Sequence, residues 1–321
     1  MKKNSIVITG GAGFIGSEFV RQAVDSKKYS KIFVLDKLTY ASDLNRIRSE
    51  LETNQIELFE VDVVDSSKYA NILKESECVV HFAAESHVDR SISDGNPFIQ
   101  SNIIGTYNLL EAARLNSVNR VLVVSTDEVY GSINSGKFLE TDVLNPSSTY
   151  SASKSAADLL ALAQYKTFSQ DIIVTRCVNN YGPWQNNEKF IPNAIDRALE
   201  GQHILLYGNG LNVREWIHVS DHVGALNLIL EHGTSGEIFN IGSGESFTNF
   251  DIALEILQIL EESSEQVKFI TDRLGHDYRY AVNSDKVRKR FNWSPKVNFK
   301  QGLTDLINLS KVSLDIQARQ N

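Results

Sequence analysis

Two acids, Asp127 and Glu128, stand side by side at the end of an apolar run in the segment VVSTDEVYG, residues 123–131. Residues 121–124 read as a buried strand, with Ser125, Thr126 and the two acids where that strand ends. Adjacent carboxyls in such a place are ordinarily a solvated loop or a helix cap. They can also divide acid and base work, if their surroundings push their pKa values apart. Further along, Tyr150 and Lys154 are spaced i and i+4 in the segment YSASK. On a helix that spacing points phenol and ammonium into one site. A free phenol titrates near ~10, too high for a base at neutral pH, and a neighbouring cation lowers that value. Taken alone, Y-x-x-x-K recurs by chance on any amphipathic helix.

A second motif gives the pair a context. In TGGAGFIGS, residues 9–17, Gly10, Gly13 and Gly16 give one glycine spacing, and Gly11, Gly13 and Gly16 satisfy G-x-G-x-x-G. The motif follows a strand and opens a helix near Phe14 and Ile15, as a dinucleotide site requires. Glycines let the backbone approach a pyrophosphate, and the helix N-terminus supplies N–H donors and partial positive charge. About twenty residues after Gly16, Asp36 closes the second strand, where a carboxylate accepts ribose hydroxyls and repels a 2′-phosphate. Lys37 beside it weakens the exclusion of a 2′-phosphate slightly. Asp62, ending the third strand, suits the adenine end. NAD is therefore the expected cofactor, and with it the strand-end hydroxyls and Tyr150–Lys154 become a coherent set.

The elements that must position these groups alternate. SIVITG (5–10), KIFVLD (31–36), IELFEVDV (56–63), CVVHFAA (78–84), RVLVVST (120–126) and IIVTR (172–176) read as strands, with helical patterns at 101–115 and 149–168 between them. Near-continuous Val, Ile and Leu content marks strands buried on both faces of a parallel sheet. The expected fold class is α/β, a doubly wound, Rossmann-like parallel sheet with a smaller C-terminal α/β substrate domain. Residues 1–177 form the expected NAD-binding domain with the catalytic residues; residues 178–321 form mainly the substrate domain, partly interleaved with the first.

Several blocks together resemble one family. GGAGFIG, Tyr150-x-x-x-Lys154 and the strand-end hydroxyl resemble the extended short-chain dehydrogenase/reductases. LDKLTYAS (35–42), AAESHVDRSI (83–92), STDEVYG (125–131), RCVNNYGP (176–183), YGNGLNVREWIHVSDH (207–222) and DRLGHDYRYA (272–281) are similar to the dTDP-glucose 4,6-dehydratases within that group. The resemblance spans residue 9 to about 295. It implies oxidation of a hexose at C4, elimination of water across C5–C6, and return of hydride to C6. By resemblance, Tyr150 takes the C4 hydroxyl proton with Thr126 holding that hydroxyl, Glu128 removes the C5 proton, and protonated Asp127 donates to the departing C6 hydroxyl. Around NAD it also implies Leu38, Thr39, Val63, Ala83, Ala84, Ser86, Ser101 and Asn180. For the sugar nucleotide it implies His87, Asn179, Lys189, Phe190 and Tyr207, with Arg214, Asn249, Arg273 and His276 toward the diphosphate and base. No metal is expected.

Some residues have plainer readings. His81 lies inside an apolar strand and reads as a satisfied core histidine; Trp216 and Trp293 read as core, and Asp89–Arg90 as a possible internal ion pair. Cys78 and Cys177 make no disulfide framework and read as buried thiols. Val178 and Ser101 depart from the residues usual in the family, and GSGESFTN (242–249) is closer to related epimerases. The nucleotide therefore stays open between dTDP and UDP. A 4-epimerase or decarboxylase of the same fold would share the glycine turn and Tyr150–Lys154, but needs no acid–base pair for elimination, so Asp127–Glu128 discriminates. A non-catalytic NAD-binding sensor would have no need for all five of Thr126, Asp127, Glu128, Tyr150 and Lys154.

The composition fits that reading. With 321 residues, 42% apolar and 22% charged, the chain is long enough for a large core and ordinary for a soluble protein. A net charge of -8 argues against nucleic acid as main partner. No apolar run reaches the ~20 residues of a membrane span. MKKNSIVITGG runs directly into a strand and glycine turn, so no signal peptide and a cytoplasmic location are expected. The helices at 101–115 and 149–168 carry apolar residues on more than one face, which by resemblance implies a homodimer.

Overall fold

In the computed structural model, residues 4–320 are described, with side chains described through residue 312. The strands among them are β1 (Ser5–Thr9), β2 (Lys31–Asp36), β3 (Glu57–Glu60), β4 (Cys78–His81), β5 (Arg120–Thr126), β6 (Ile172–Cys177), β7 (Asn179–Tyr181), β8 (Ile204–Tyr207), β9 (Val213–His218), β10 (Ile238–Ile241), β11 (Ser246–Thr248) and β12 (Val267–Ile270). Seven form one sheet in the order β10-β6-β5-β4-β1-β2-β3, every neighbouring pair parallel. The order reverses between β1 and β4. In doubly wound sheets, ligands bind in the crevice beyond the carboxyl ends of the strands at such a reversal.

Both faces of that sheet are covered, which explains the unbroken apolar runs. Ile6 and Ile8 pack with Phe19 and Val20 of helix Phe14–Ser26 and with Leu226 and Ile229 of helix Val219–His232. Their neighbour Val7 points the other way, among Leu109, Leu110 and Ala161. Helix Thr149–Phe168 has the expected bounds. The segment expected as one helix over 101–115 divides into a π-helical stretch, Ile99–Gly105, and an α-helix, Thr106–Leu115. Buried Asn102, on the π stretch, exchanges hydrogen bonds with Glu85 (N to Oδ1 2.8 Å, Nδ2 to O 3.0 Å) and donates to Ser153 Oγ at 2.8 Å.

Beyond residue 177 the chain serves both regions. Helix Val219–His232 and β10 join the large sheet, whereas β11-β9-β7 and β12-β8 form small sheets around a separate core of Ile191, Leu206, Trp216, Ile252 and Leu303. Trp216 and Trp293 are buried, as are the free thiols of Cys78 and Cys177. His81 is fully engaged, its ring nitrogens 2.8 Å from Thr9 Oγ1 and 3.0 Å from Thr106 Oγ1. Among the described residues no helix is long and apolar enough to cross a membrane.

Candidate active site

β5 delivers the acid pair. Thr126 ends the strand in extended backbone and caps a single 3-10 turn, Asp127–Tyr130; its hydroxyl accepts from Glu128 N at 3.2 Å and lies 3.3 Å from Asp127 Oδ1. Asp127 is only 2% exposed, and its Oδ2 has no partner among the described residues. Burial pushes its pKa well above the carboxylate range, and the charges of Glu128 and Glu215 add to that. Burial also raises Glu128, but Arg273, Arg214 and Lys189 pull it back. Two adjacent carboxyls thus have different surroundings: Asp127 is pushed upward by two acids against Arg214, whereas Glu128 is pulled back by Arg273, Arg214 and Lys189.

The helix beginning at Thr149 brings in the phenol and ammonium. Ser148 and Ser151 close a reciprocal capping box at its start, fixing Tyr150 in the first turn. Tyr150 is buried edge-on to Phe98, with ring centroids 6.2 Å apart. The expectation that Lys154 lowers the phenol's pKa is not met. Burial raises it, Glu128 and Asp127 raise it further, and the Thr126 hydroxyl opposes them. Lys154 Nζ donates to Val124 O at 2.9 Å. Burial brings the ammonium itself down to about 8, with Asp158 opposing.

The glycine turn sits beyond the carboxyl end of β1, at the sheet's reversal. Gly10 has φ +68, and a Cβ there would lie 2.8 Å from Ala83 N. A Cβ on Gly16 would lie 2.1 Å from Gly10 O. Gly13 caps the helix without a side-chain hydrogen bond, so the first N–H groups at Phe14 and Ile15 stay available to an anion. Asp36 is buried and holds the turn: Oδ2 accepts from Ala12 N at 2.9 Å, and Oδ1 from Leu38 N at 2.9 Å and Ser42 Oγ at 2.7 Å. Thr39 opens the next turn, its O accepting from Ser42 N. Lys37 pairs with Asp62 at 2.7 Å. Although burial opposes it, the Lys37 ammonium and the Val64 N–H hold Asp62 below its ordinary value. Val63 is buried next to it, and Ser101 is half-buried on the π stretch. Ala83 N donates to Thr9 Oγ1, and Ala84 follows, half-buried, along the same crevice.

The second group of expected ligands approaches Glu128 from the other side. Lys189 Nζ donates to Ser86 O at 2.7 Å, and His87 Nε2 lies 3.2 Å from Glu188 O, joining the loop after β4 to the loop after β7. Arg273 faces Asp89 at 3.7 Å, with its Nε buried and without a partner among the described residues. Tyr207 OH donates to Asp89 Oδ2 at 3.4 Å, and its ring meets that of His276 edge-on. Asp89 and Arg90 are therefore not paired with each other: Arg90 bonds Glu188 and lies over the Tyr40 ring. Arg214 is 4% exposed and donates to the carbonyls of Val213, Asp277 and Tyr278. Asn249 begins helix Asn249–Leu260, its N bonded to Asn212 O. Asn179 pairs with Trp216 across β7 and β9, and Phe190 packs near the same tryptophan. Asn180 is held by His222, whose Nδ1 lies 2.9 Å from its Oδ1.

Several contributors carried no signal strong enough to select them from sequence. Glu215 is buried beside Asp127, and a charged residue inside the strand pattern EWIHV was the one hint of it. Asn102 and His222 act through residues distant in sequence, and Ser42 through Asp36 in the preceding strand. With this geometry in place, the comparisons are direct. A family model described as GDP-mannose 4,6 dehydratase matches residues 7–306. A low-salt glycan biosynthesis protein of Haloferax volcanii is 43% identical over 93% of this chain and 96% of its own. A dTDP-glucose 4,6-dehydratase of Mycolicibacterium smegmatis is 43% identical over 94% of this chain and 92% of its own. The crystal structure of DesIV, a dTDP-glucose 4,6-dehydratase from Streptomyces venezuelae with NAD and TYD bound, has a TM-score of 0.93 at 41% identity, covering 96% of this chain and 97% of that one.

Proposed function

The chain belongs to the GDP-mannose 4,6-dehydratase family, among its dTDP-glucose 4,6-dehydratases, and we propose that it converts dTDP-glucose to dTDP-4-keto-6-deoxyglucose. The observation that carries this is the adjacent pair of buried Asp127 and half-buried Glu128, the first pushed toward its protonated form by burial and neighbouring acids and the second facing cations, beside Thr126 and Tyr150. NAD fits the chain's own cradle: the turn has no room for a Cβ at Gly10 or Gly16, the helix start at Gly13 lacks a side-chain cap, and Asp36 closes the second strand. NAD, when bound, supplies the acceptor and donor of the hydride exchanged with C4 and C6.

The remaining work falls to side chains. Tyr150 takes the C4 hydroxyl proton, with Thr126 orienting that oxygen. Without a bound ligand the phenol holds its proton firmly; a positively charged nicotinamide nearby would favour its release. The ketone formed at C4 acidifies C5–H, and Glu128 is the base that removes that proton. Asp127, whose burial among acids favours the protonated form, donates to the C6 hydroxyl as it leaves as water. Lys189 and Arg273 face Glu128 from the substrate side and suit a diphosphate. Arg214 also anchors residues 277–278 through the carbonyls of Asp277 and Tyr278.

Exposed Ile104, Tyr107 and Leu115 on one helical segment, with Leu159 and Phe168 on another, support a homodimer across these helices. A water-soluble nucleotide sugar as substrate goes with a cytoplasmic location. The test is turnover of purified chain with dTDP-, UDP- and GDP-hexoses. A 4-keto-6-deoxy product from dTDP-glucose, with no net consumption of NAD, is expected. A preference for UDP-glucose would move the substrate to the alternative that GSGESFTN keeps open, and no product from any of the three would end the dehydratase reading.

A further inference from the structure

Behind the acid–base turn runs a line of buried polar groups that this mechanism leaves unused. Arg176 on β6 is 2% exposed, and its Nε donates to the Oδ2 of fully buried Asp158 at 2.8 Å. Its Nη1 donates to Tyr130 OH at 2.8 Å, and the guanidinium carbon lies 4.8 Å from the centre of the tyrosine ring. Tyr130 OH in turn donates to Asn240 Oδ1 at 2.8 Å. Asn240 is itself pinned, its N donating to Glu140 Oε1 at 3.0 Å and its Nδ2 to Phe138 O at 3.1 Å. The Tyr130 ring stacks on Phe138 with centroids 4.9 Å apart and planes 13° from parallel.

The two ends of this line are the two halves of the proposed chemistry. Asp158 lies one helical turn beyond Lys154, on the helix that carries Tyr150. Tyr130 closes the 3-10 turn that carries Asp127 and Glu128. A buried ion pair is a poor source of stability, because apolar side chains of similar volume fill such a space at least as well. An arginine fork does something those side chains cannot: it holds two partners at once in fixed directions.

We infer that Arg176 is a positioning residue, which through Tyr130 holds the acid–base turn in register with the tyrosine helix, so that a sugar oxidised at C4 presents C5 and C6 to Glu128 and Asp127. The inference rests on the dehydratase reading. It separates two rates: loss of the Arg176–Tyr130 arm slows elimination while leaving C4 oxidation and substrate binding near normal.

Tyr130→Phe removes one hydroxyl and keeps the ring on Phe138. By rapid-quench mass spectrometry of the sugar nucleotide, with dTDP-glucose and NAD, this variant should accumulate the 4-keto hexose that has not lost water. Elimination should be ~10- to 100-fold slower, the range that follows from small misplacement of reacting groups, with KM unchanged. Arg176→Lys keeps a cation for Asp158 but lacks the second arm, so it should accumulate the same species. The double variant should be no slower than the slower single one. Thermal unfolding of each variant shows whether the fold survives, and Tyr130→Phe still tests the arm if Arg176→Lys does not fold. Equal slowing of both steps, or wild-type partitioning, in folded Tyr130→Phe would overturn the positioning role. Absence of product from the wild-type chain would instead mean that the dehydratase reading itself had failed.

Discussion

The glycine turn after β1 and the acid turn after β5 occupy comparable places, each just past the carboxyl end of a strand in the same sheet, yet they are built oppositely. Around the glycine turn the carboxylate oxygens are satisfied: those of Asp36 accept three hydrogen bonds, and Gly10 and Gly16 are packed against backbone with no space left over. Around the acid turn they are not: Asp127 Oδ2 has no partner among the described residues, and Asp127, Glu128 and Tyr150 are all pushed away from their charged forms. A region that only binds can complete its own bonding. A region that moves protons must keep groups poised and partly unsatisfied until substrate arrives, and that costs stability.

Substitutions can break this contrast. The largest effect is expected at the acid turn and on rate alone: Asp127→Asn or Glu128→Gln should slow elimination by ~10²- to 10⁴-fold while the unfolding temperature holds or rises. A clear fall in unfolding temperature for Asp127→Asn would show that its carboxyl stabilises the fold after all. Next is Gly16→Ala, whose Cβ meets Gly10 O at 2.1 Å. It should lose ~1–3 kcal/mol of stability together with NAD affinity in a calorimetric titration, and unchanged NAD binding would count against the cradle.

A pH series sharpens the same contrast with a smaller effect. Asp127 keeps its proton in the fold at pH values where the unfolded chain has released it, because its folded pKa lies well above 3.8. The folded state therefore binds more protons than the unfolded one, and stability falls as pH rises above that ordinary value until the raised folded value is passed. The unfolding-temperature advantage of Asp127→Asn over wild type should grow with pH across that window; a constant difference would contradict the assigned protonation state. The smallest effect is expected at Lys37→Ala on the cofactor side. Lys37 itself is largely exposed, so stability should change by less than ~1 kcal/mol.

The same contrast explains what could be read from residues alone. The glycine turn, Asp36 and the Tyr150–Lys154 spacing were legible because each depends on local geometry: a turn with no room for Cβ, a strand end, one face of a helix. The sheet followed from apolar runs whose two faces are both covered. Lys154's choice of Val124 O over the phenol was not legible, since it depends on how a helix docks against a strand. Nor was the π stretch at Ile99–Gly105, where Asn102 ties to Glu85 and Ser153 from three separate segments. Arg214 shows the limit from the other side: its type suited a phosphate, but its bonds to the carbonyls of Asp277 and Tyr278, brought close only by folding, were not legible.

The central claim is that Glu128 removes the C5 proton and that this step selects dehydration from the chemistry its fold allows. Solvent deuterium incorporation at C5 of the product, measured by mass spectrometry for wild type and Glu128→Gln with dTDP-glucose and NAD, tests it most directly. Wild type should place one solvent deuterium at C5 of a 4-keto-6-deoxy sugar, while Glu128→Gln should form 4-keto sugar with neither exchange at C5 nor loss of water. Normal deuterium incorporation and turnover by Glu128→Gln would contradict the assignment.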